Sequence, residues 1–298
     1  MRTEPLRREG NSTTLGGLAV AGVVVAASLS ATLAKRAEAP GVLIAFWRLV
    51  IVSLVWSAYL RGTGRRLSMA DIRQAFVPGV FFGLALAAFF AGATHNSVAN
   101  TALILAMSPF LIVPLGARMF GDRLQPVALT FALLSFGGVV LVLFSAPSDG
   151  DATVEGNLFA ALSMVCFVAY IVSTRYCRRE MDVSTFMATI SPIAAVAVLP
   201  LALAHGDMFA MSRTGWTYTV ILALLNGVAA HGWNVYAQAT IPIGTISVAQ
   251  VAQPALAVVW AFLLLGEEVV TAQIVGIGVV TIGLLGFFAL NERGARTT

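Results

Sequence analysis

Charge is scarce in this chain of 298 residues: Asp, Glu, Lys and Arg together make up 11% of it, against about 25% in soluble domains. The shortage runs from end to end, which excludes a soluble protein held by a single anchor. Cysteine is scarcer still. Cys166 and Cys177 are the only two, too few for a disulfide framework or a zinc site. No Walker-type glycine loop, zinc-ligand run or nucleophile elbow occurs, so neither an ATP-driven pump nor a hydrolase is indicated. No cofactor and no metal are expected. The fourteen acidic residues all fall in loops, tails or the borders of apolar stretches.

What fills the chain instead is hydrocarbon. Hydrophobic residues account for 58% of positions, and apolar runs long enough to cross about 30 Å as helices recur throughout. Ten such spans are expected: Leu15 to Ala34, Gly41 to Leu60, Ile72 to Ala93, Val98 to Arg118 and Pro126 to Ser145 in the first half. Gly156 to Arg175, Val183 to His205, Trp216 to Ala239, Gly244 to Leu265 and Thr271 to Leu290 follow in the second. The first run follows Arg2, Arg7 and Arg8 as a signal peptide would, but its length exceeds the roughly 7–15 residues of a signal core. It also has a counterpart opening the second half, and it is read as a helix.

The sequence repeats itself. Shifting Pro109 onto Pro254, a step of 145 residues, lays the stretch ending in Gly121-Asp122 over the one ending in Gly266-Glu267. The expected organisation is a tail over 1–14, five-helix repeats over 15–147 and 148–290, and a tail over 291–298. Five crossings per copy is an odd number, so the second copy enters the bilayer inverted. The fold class is therefore an all-α integral membrane protein with ten transmembrane helices in two inverted five-helix repeats, an architecture from which carriers are built. Fourteen of the eighteen basic residues fall on one side if the N-terminus is cytosolic, so both termini are expected in the cytosol. That bias and anionic lipid account for the positive balance without a nucleic-acid partner. Expected partners are a small-molecule substrate and the lipid bilayer, with the chain a monomer or weak homodimer. Coupling to protons or sodium commonly uses an acid buried in a span. None is seen, which favours facilitated, gradient-driven movement, with a histidine proton route as the alternative.

Three segments carry a family resemblance: Ala45-Phe46-Trp47-Arg48-Leu49, Ser108-Pro109 through Gly121-Asp122, and Gln253-Pro254 through Leu265-Gly266-Glu267. They resemble the drug/metabolite transporter superfamily, most nearly its EamA-like ten-helix bacterial exporters, and among those the aromatic amino-acid exporters. The resemblance implies export of amino acids and similar metabolites across the inner membrane. It also implies a central cavity bordered by the third, fourth, eighth and ninth helices, with contributions from the first and sixth. Two departures stand out. His95-Asn96 occupies the place after the third helix where the family often has an aromatic gate, and Asp122 stands where Glu is commoner.

Candidate substrate contacts are the polar residues inside spans. His231, Asn234 and Gln238 follow i, i+3, i+7 spacing and lie within about 60° of one another on a helix. They either line a cavity or bond to the backbone and each other within the bundle. Gln250, Gln253 and Trp260 are placed on one face of the ninth helix, and Thr101 and Ser108 on the symmetric fourth. Pro109 and Pro254 each free a backbone carbonyl, and read either as hinges or as inherited kinks. Tyr170 shares a face with Ser163, Cys166 and Thr174, while Ser28 and Thr32 stand at i, i+4 on the first helix. Such hydroxyl rows also occur as plain helix contacts. Trp47, Trp233, Tyr236 and the pairs Phe81-Phe82 and Phe89-Phe90 could stack on a planar substrate or face lipid.

Arg48 is the one full charge inside a span, about 10 Å from the helix start. It either contacts a substrate carboxylate or snorkels to the interface, and the resemblance puts it outside the cavity helices. Gly79, Gly83, Gly276, Gly283 and Gly286 would let helices approach closely, within the bundle or between copies. A second carrier reading is an importer, or a proton-coupled efflux protein for drugs and other lipophilic compounds, on the same fold, and two readings outside the carrier class remain. An intramembrane enzyme with His231 as base would need an acid or metal partner that the spans lack, and a non-transporting sensor would tolerate changes to the polar spans.

Overall fold

Backbone in hydrocarbon must satisfy its hydrogen bonds within its own segment, which leaves an apolar run of twenty residues little choice but helix. The structure, a computed structural model, describes residues 4–95, 104–122, 125–145, 153–178, 180–266 and 269–297. Among these residues nine helices are long and apolar enough to cross a membrane: Thr14–Ala34, Gly41–Gly62, Met69–Phe89, Pro126–Phe144, Val154–Cys177, Val183–Ala204, Arg213–Ala237, Ile243–Leu264 and Thr271–Leu290. A shorter apolar helix, Ile104–Phe120, stands fourth in order. Together they form the ten crossings of an all-helical membrane bundle, in two inverted five-helix repeats. Leu18, Val196 and Leu285 are each more than 60% exposed, as lipid-facing side chains are.

Spans begin where side chains can satisfy free backbone N–H groups. The Thr153 hydroxyl accepts from Gly156 N at 3.0 Å, and Ser212 accepts from Gly215 N at 3.0 Å. The Asp182 carboxylate accepts from Ser184 N and Thr185 N at 3.0 and 3.2 Å. At the other ends, the fourth helix stops at Gly121 and the ninth at Gly266, with φ of 72° and 71°. A side chain at that left-handed φ is strained, so both repeats use the same residue to stop the same helix.

The pairing of helices obeys the exchange of halves. The third span packs on the sixth as the first packs on the eighth, the fourth meets the sixth as the ninth meets the first, and the second lies against the seventh. The fifth and tenth spans meet across the symmetry axis. Ser135 donates to the Val280 carbonyl at 3.2 Å, a sequence separation of 145. Gly138 faces Gly276 and Val280, while Gly283 faces Phe131 and Ser135, and these are the same two contacts with the halves exchanged. A Cβ on Gly138 would stand 2.7 Å from Val280 N, and one on Gly283 2.6 Å from Ser135 N, so glycine lets the two backbones touch.

Regular helices do not describe every span. The first helix runs from Glu4 to Ser28, beginning upstream of Leu15, and restarts at Ser30 after a break at Leu29. The eighth contains a π-helical stretch, Ala223–Ala230. The ninth is interrupted at Val251, in the turn that Pro254 deprives of a hydrogen bond. The fourth restarts at Pro109 after turns at Met107 and Ser108. Breaks therefore precede the repeat-related prolines in both halves.

Candidate functional site

A cavity of about 280 Å³ lies at the centre of the bundle. Seven spans wall it: the first, third, fourth, sixth, eighth and ninth, and the second through Arg48 alone. Its lining runs from mid-depth toward the end where Ala34 and Phe89 stand. Most of the wall is Ala, Val, Leu and Phe, with a few polar groups set into it, the composition of a small-molecule site.

Those polar groups come from the irregular parts of the helices. Pro109 and Pro254 both reach the cavity, accompanied by Ser108, Gln250 and Gln253. From the eighth span come Asn226, inside the π-helical stretch, and His231 and Asn234 just beyond it. A π turn holds more residues than an α turn and advances the helical face, which is why such stretches recur at functional sites. Gln250 Nε2 donates to Asn234 Oδ1 at 3.4 Å, a long bond that leaves both amides able to meet a ligand.

Arg48 is 5% exposed and faces the cavity. Its Nη2 lies 3.1 Å from His231 Nε2. A guanidinium can only donate, so Nε2 is the acceptor, and the imidazole is neutral with its proton on Nδ1. Arg48 Nε has no hydrogen-bond partner among the described residues. Gly227 lets the second span lie this close to the eighth, since a Cβ there would overlap Val52. Phe82 meets the His231 ring edge-on at 4.7 Å and stacks on Tyr170 at 4.7 Å.

Several expected contacts fall elsewhere. Thr32 is 4% exposed but does not reach the cavity. The break at Leu29 resets the helical phase, and Ser30 and Ala34 take the wall beside Ser28. Trp260 stands outside the wall and donates from Nε1 to Ser28 Oγ at 2.8 Å. Tyr170 is fully buried behind Phe82 and His231. Gln238 lies deeper, in a small void with Ser247 and Gln250, and its carboxamide has no partner among the described residues. Thr101 and the side chain of His95 lie outside the described residues, so the gate expected at His95 does too. Trp47 joins Phe209 and Trp216 in an aromatic cluster and donates to Met208 O at 2.8 Å. Trp233 is 42% exposed and packs over Gly22. Asn226, Ser30 and Phe167 line the cavity without having been anticipated. An asparagine inside an apolar span was the one signal available for them.

Polar contacts tie the spans together at the end of the bundle carrying Arg65, Arg175 and Arg178. Asp122, at the end of the fourth span, accepts from Ile243 N at 3.1 Å and stands 3.9 Å from Arg175 Nη2. Arg175 donates to Ile241 O at 3.0 Å, and Arg178 to Val235 O at 3.0 Å. The Cys177 thiol donates to Gln74 O at 3.3 Å, and Gln74 to Glu180 at 3.0 Å. Arg65 pairs with Asp182 at 2.6 Å. Partial burial would raise the Asp182 carboxyl, but bonds from Ser184 and Thr185 and the charge of Arg65 outweigh it and hold it at about 2.

Comparison with known proteins bears on this architecture. The family description "EamA-like transporter family" matches twice, over 14–144 and 154–289. The chain is 24% identical over 275 residues to the threonine/homoserine exporter RhtA of Escherichia coli, covering 90% of this chain and 88% of that protein. It is 28% identical to the pseudopaline exporter CntI of Pseudomonas aeruginosa over 146 residues, 48% of this chain and 51% of that one. A riboflavin transporter of Brucella anthropi matches at 25% over 202 residues, 66% of this chain and 70% of its own. A crystal structure superposes with a TM-score of 0.79 at 20% identity, covering 94% of this chain and 99% of that one.

Proposed function

Because the chain belongs to the EamA-like transporter family, we propose that it exports amino acids and related small metabolites, aromatic or hydrophobic ones included, by alternating access. It acts as a carrier and not as an enzyme. The observation that carries the reading is a mid-depth cavity, walled by both repeats and shut at one end by named polar contacts. A volume of about 280 Å³ sits at the small end of ligand sites and suits an amino acid better than a drug.

The arginine-rich end is cytosolic in this reading, with both termini on the cytosolic side of the bacterial inner membrane. The cavity then faces outward. The repeats over 15–147 and 148–290 exchange conformations, with Pro109 and Pro254 as hinges, to expose it inward. His231, Asn234, Gln250, Gln253, Ser108 and Ser28 make the polar substrate contacts, and Phe82 and Phe89 the apolar ones. No acid lines the cavity among the described residues, which supports facilitated movement.

Counterflow in proteoliposomes tests this. Vesicles loaded with unlabelled threonine or phenylalanine should take up the labelled amino acid saturably, without a pH gradient. An Asn234→Leu, Gln253→Leu variant that remains folded should lose that uptake. Uptake that requires a pH gradient would replace the facilitated mode with proton coupling. No exchange of any amino acid would refute the amino-acid reading.

A further inference from the structure

Arg48 is a full positive charge that no described residue balances. Arginine keeps its proton at any physiological pH, and a charge buried in a bilayer is costly unless something compensates it. No Asp or Glu pairs with Arg48 among the described residues. Its hydrogen-bond partner among them, His231, is a neutral acceptor, which satisfies a donor without supplying charge. The side chain is 5% exposed, so it has not snorkelled to the interface, and that remaining exposure is to the cavity. Nε is left without a partner among the described residues.

The rest of the wall offers no counterpart of the other sign. Its polar members are hydroxyls, carboxamides and one imidazole, and no acid is there to pair with a substrate ammonium among the described residues. A zwitterion entering this cavity would neutralise Arg48 with its carboxylate and bring in an ammonium that meets only neutral oxygens. A monoanion would leave the loaded cavity neutral.

We infer that the preferred cargo is a small monoanionic carboxylate with an uncharged, apolar body, anchored by Arg48, and that the membrane potential alone drives it out. The inference rests on the exporter reading and narrows its substrate class. It also supplies the driving force that a carrier without a coupling acid needs. At 100 mV, interior negative, one negative charge distributes about 50-fold toward the outside, a zwitterion not at all, and a cation in the opposite sense. This holds whichever way the chain is oriented in the membrane.

The experiment uses the full-length chain in proteoliposomes with a potassium diffusion potential of about 100 mV. Three labelled probes share one skeleton and differ in charge: 3-phenyllactate, phenylalanine and 2-phenylethylamine. Protein-free vesicles give the background. The expected result is saturable 3-phenyllactate efflux whose end point shifts by about 50-fold between zero and interior-negative potential, slower phenylalanine exchange whose end point ignores the potential, and no saturable amine flux. Arg48→Gln should abolish the preference for the anion, and Arg48→Lys should keep it with weaker apparent affinity. If neither variant folds, the wild-type charge series decides by itself. Wild-type protein that moves phenylalanine as well as or better than 3-phenyllactate overturns the inference and leaves the exporter reading standing. Folded protein that moves none of the three overturns both.

Discussion

Asp122 should decide how tightly the arginine-rich end stays shut. Its carboxylate accepts the Ile243 N–H at 3.1 Å and faces Arg175 Nη2 at 3.9 Å, so it ties the end of the fourth span to the start of the ninth. A hydrogen bond to a charged acceptor contributes about 1.5–3 kcal/mol, and an ion pair as long as the one to Arg175 adds at most about 1. Asp122→Ala therefore weakens the closed end by roughly 2 kcal/mol, a shift of about 30-fold in the open-to-closed ratio. Asp122→Asn keeps an acceptor for Ile243 without the charge and should fall between the two. The chain carries its own reporter. Cys177 is 3% exposed and donates to Gln74 O at the same end. In a Cys166→Ala background it is the only thiol, and its maleimide labelling rate in detergent should rise in the order wild type, Asn, Ala, approaching 30-fold for the last. Equal rates in all three would refute the assignment of Asp122 as a closing contact.

Gly138→Leu should cost about 3 kcal/mol or more, because its side chain would enter the backbone of the tenth span at Val280; equilibrium unfolding in mixed detergent reads the loss. Gly121→Ala should cost about 1–2 kcal/mol from the left-handed φ of 72° alone, since nothing among the described residues lies within 4 Å of the added Cβ; a change in the same assay of only a few tenths would show that the helix end relaxes. Asp182 titrates at about 2 instead of its ordinary 3.8. A lowered carboxyl contributes stability in full above the higher value and loses it as pH falls toward the lower. The stability gap between wild type and Asp182→Asn should thus be constant above about pH 4 and close toward pH 2; a gap that widens on acidification would contradict the geometry.

Much of the architecture was legible in the residues. Proline at 109 and 254 and glycine at 121 and 266 mark equivalent breaks and stops, because those residue types act on their own backbone and need no tertiary context. Side-chain direction was less accessible. Placing Ser28 with Thr32, or Gln250 with Trp260, assumes unbroken 100° steps, and the breaks at Leu29 and Val251 alter the phase. The π-helical stretch did the same for Asn226. Arg48 reaches the cavity because the second span lies close against Gly227, a long-range fit that no local pattern encodes. Its buried, unpaired state was likewise invisible until its neighbours were known.

The contact between the fifth and tenth spans has a consequence for how the bundle must have been assembled and how it can be handled. A surface that touches its own copy, residue for residue, is what a pair of identical five-helix chains would share, so this seam reads as the fossil of a subunit interface. Exchanging the two halves maps the seam onto itself, and it need not come apart when access alternates. In the alternating-access reading it is the stationary part of the bundle. A cross-link placed along Phe131 to Val142 and Gly276 to Phe287 should leave turnover intact, whereas one between Asp122 and Ile243 should stop it.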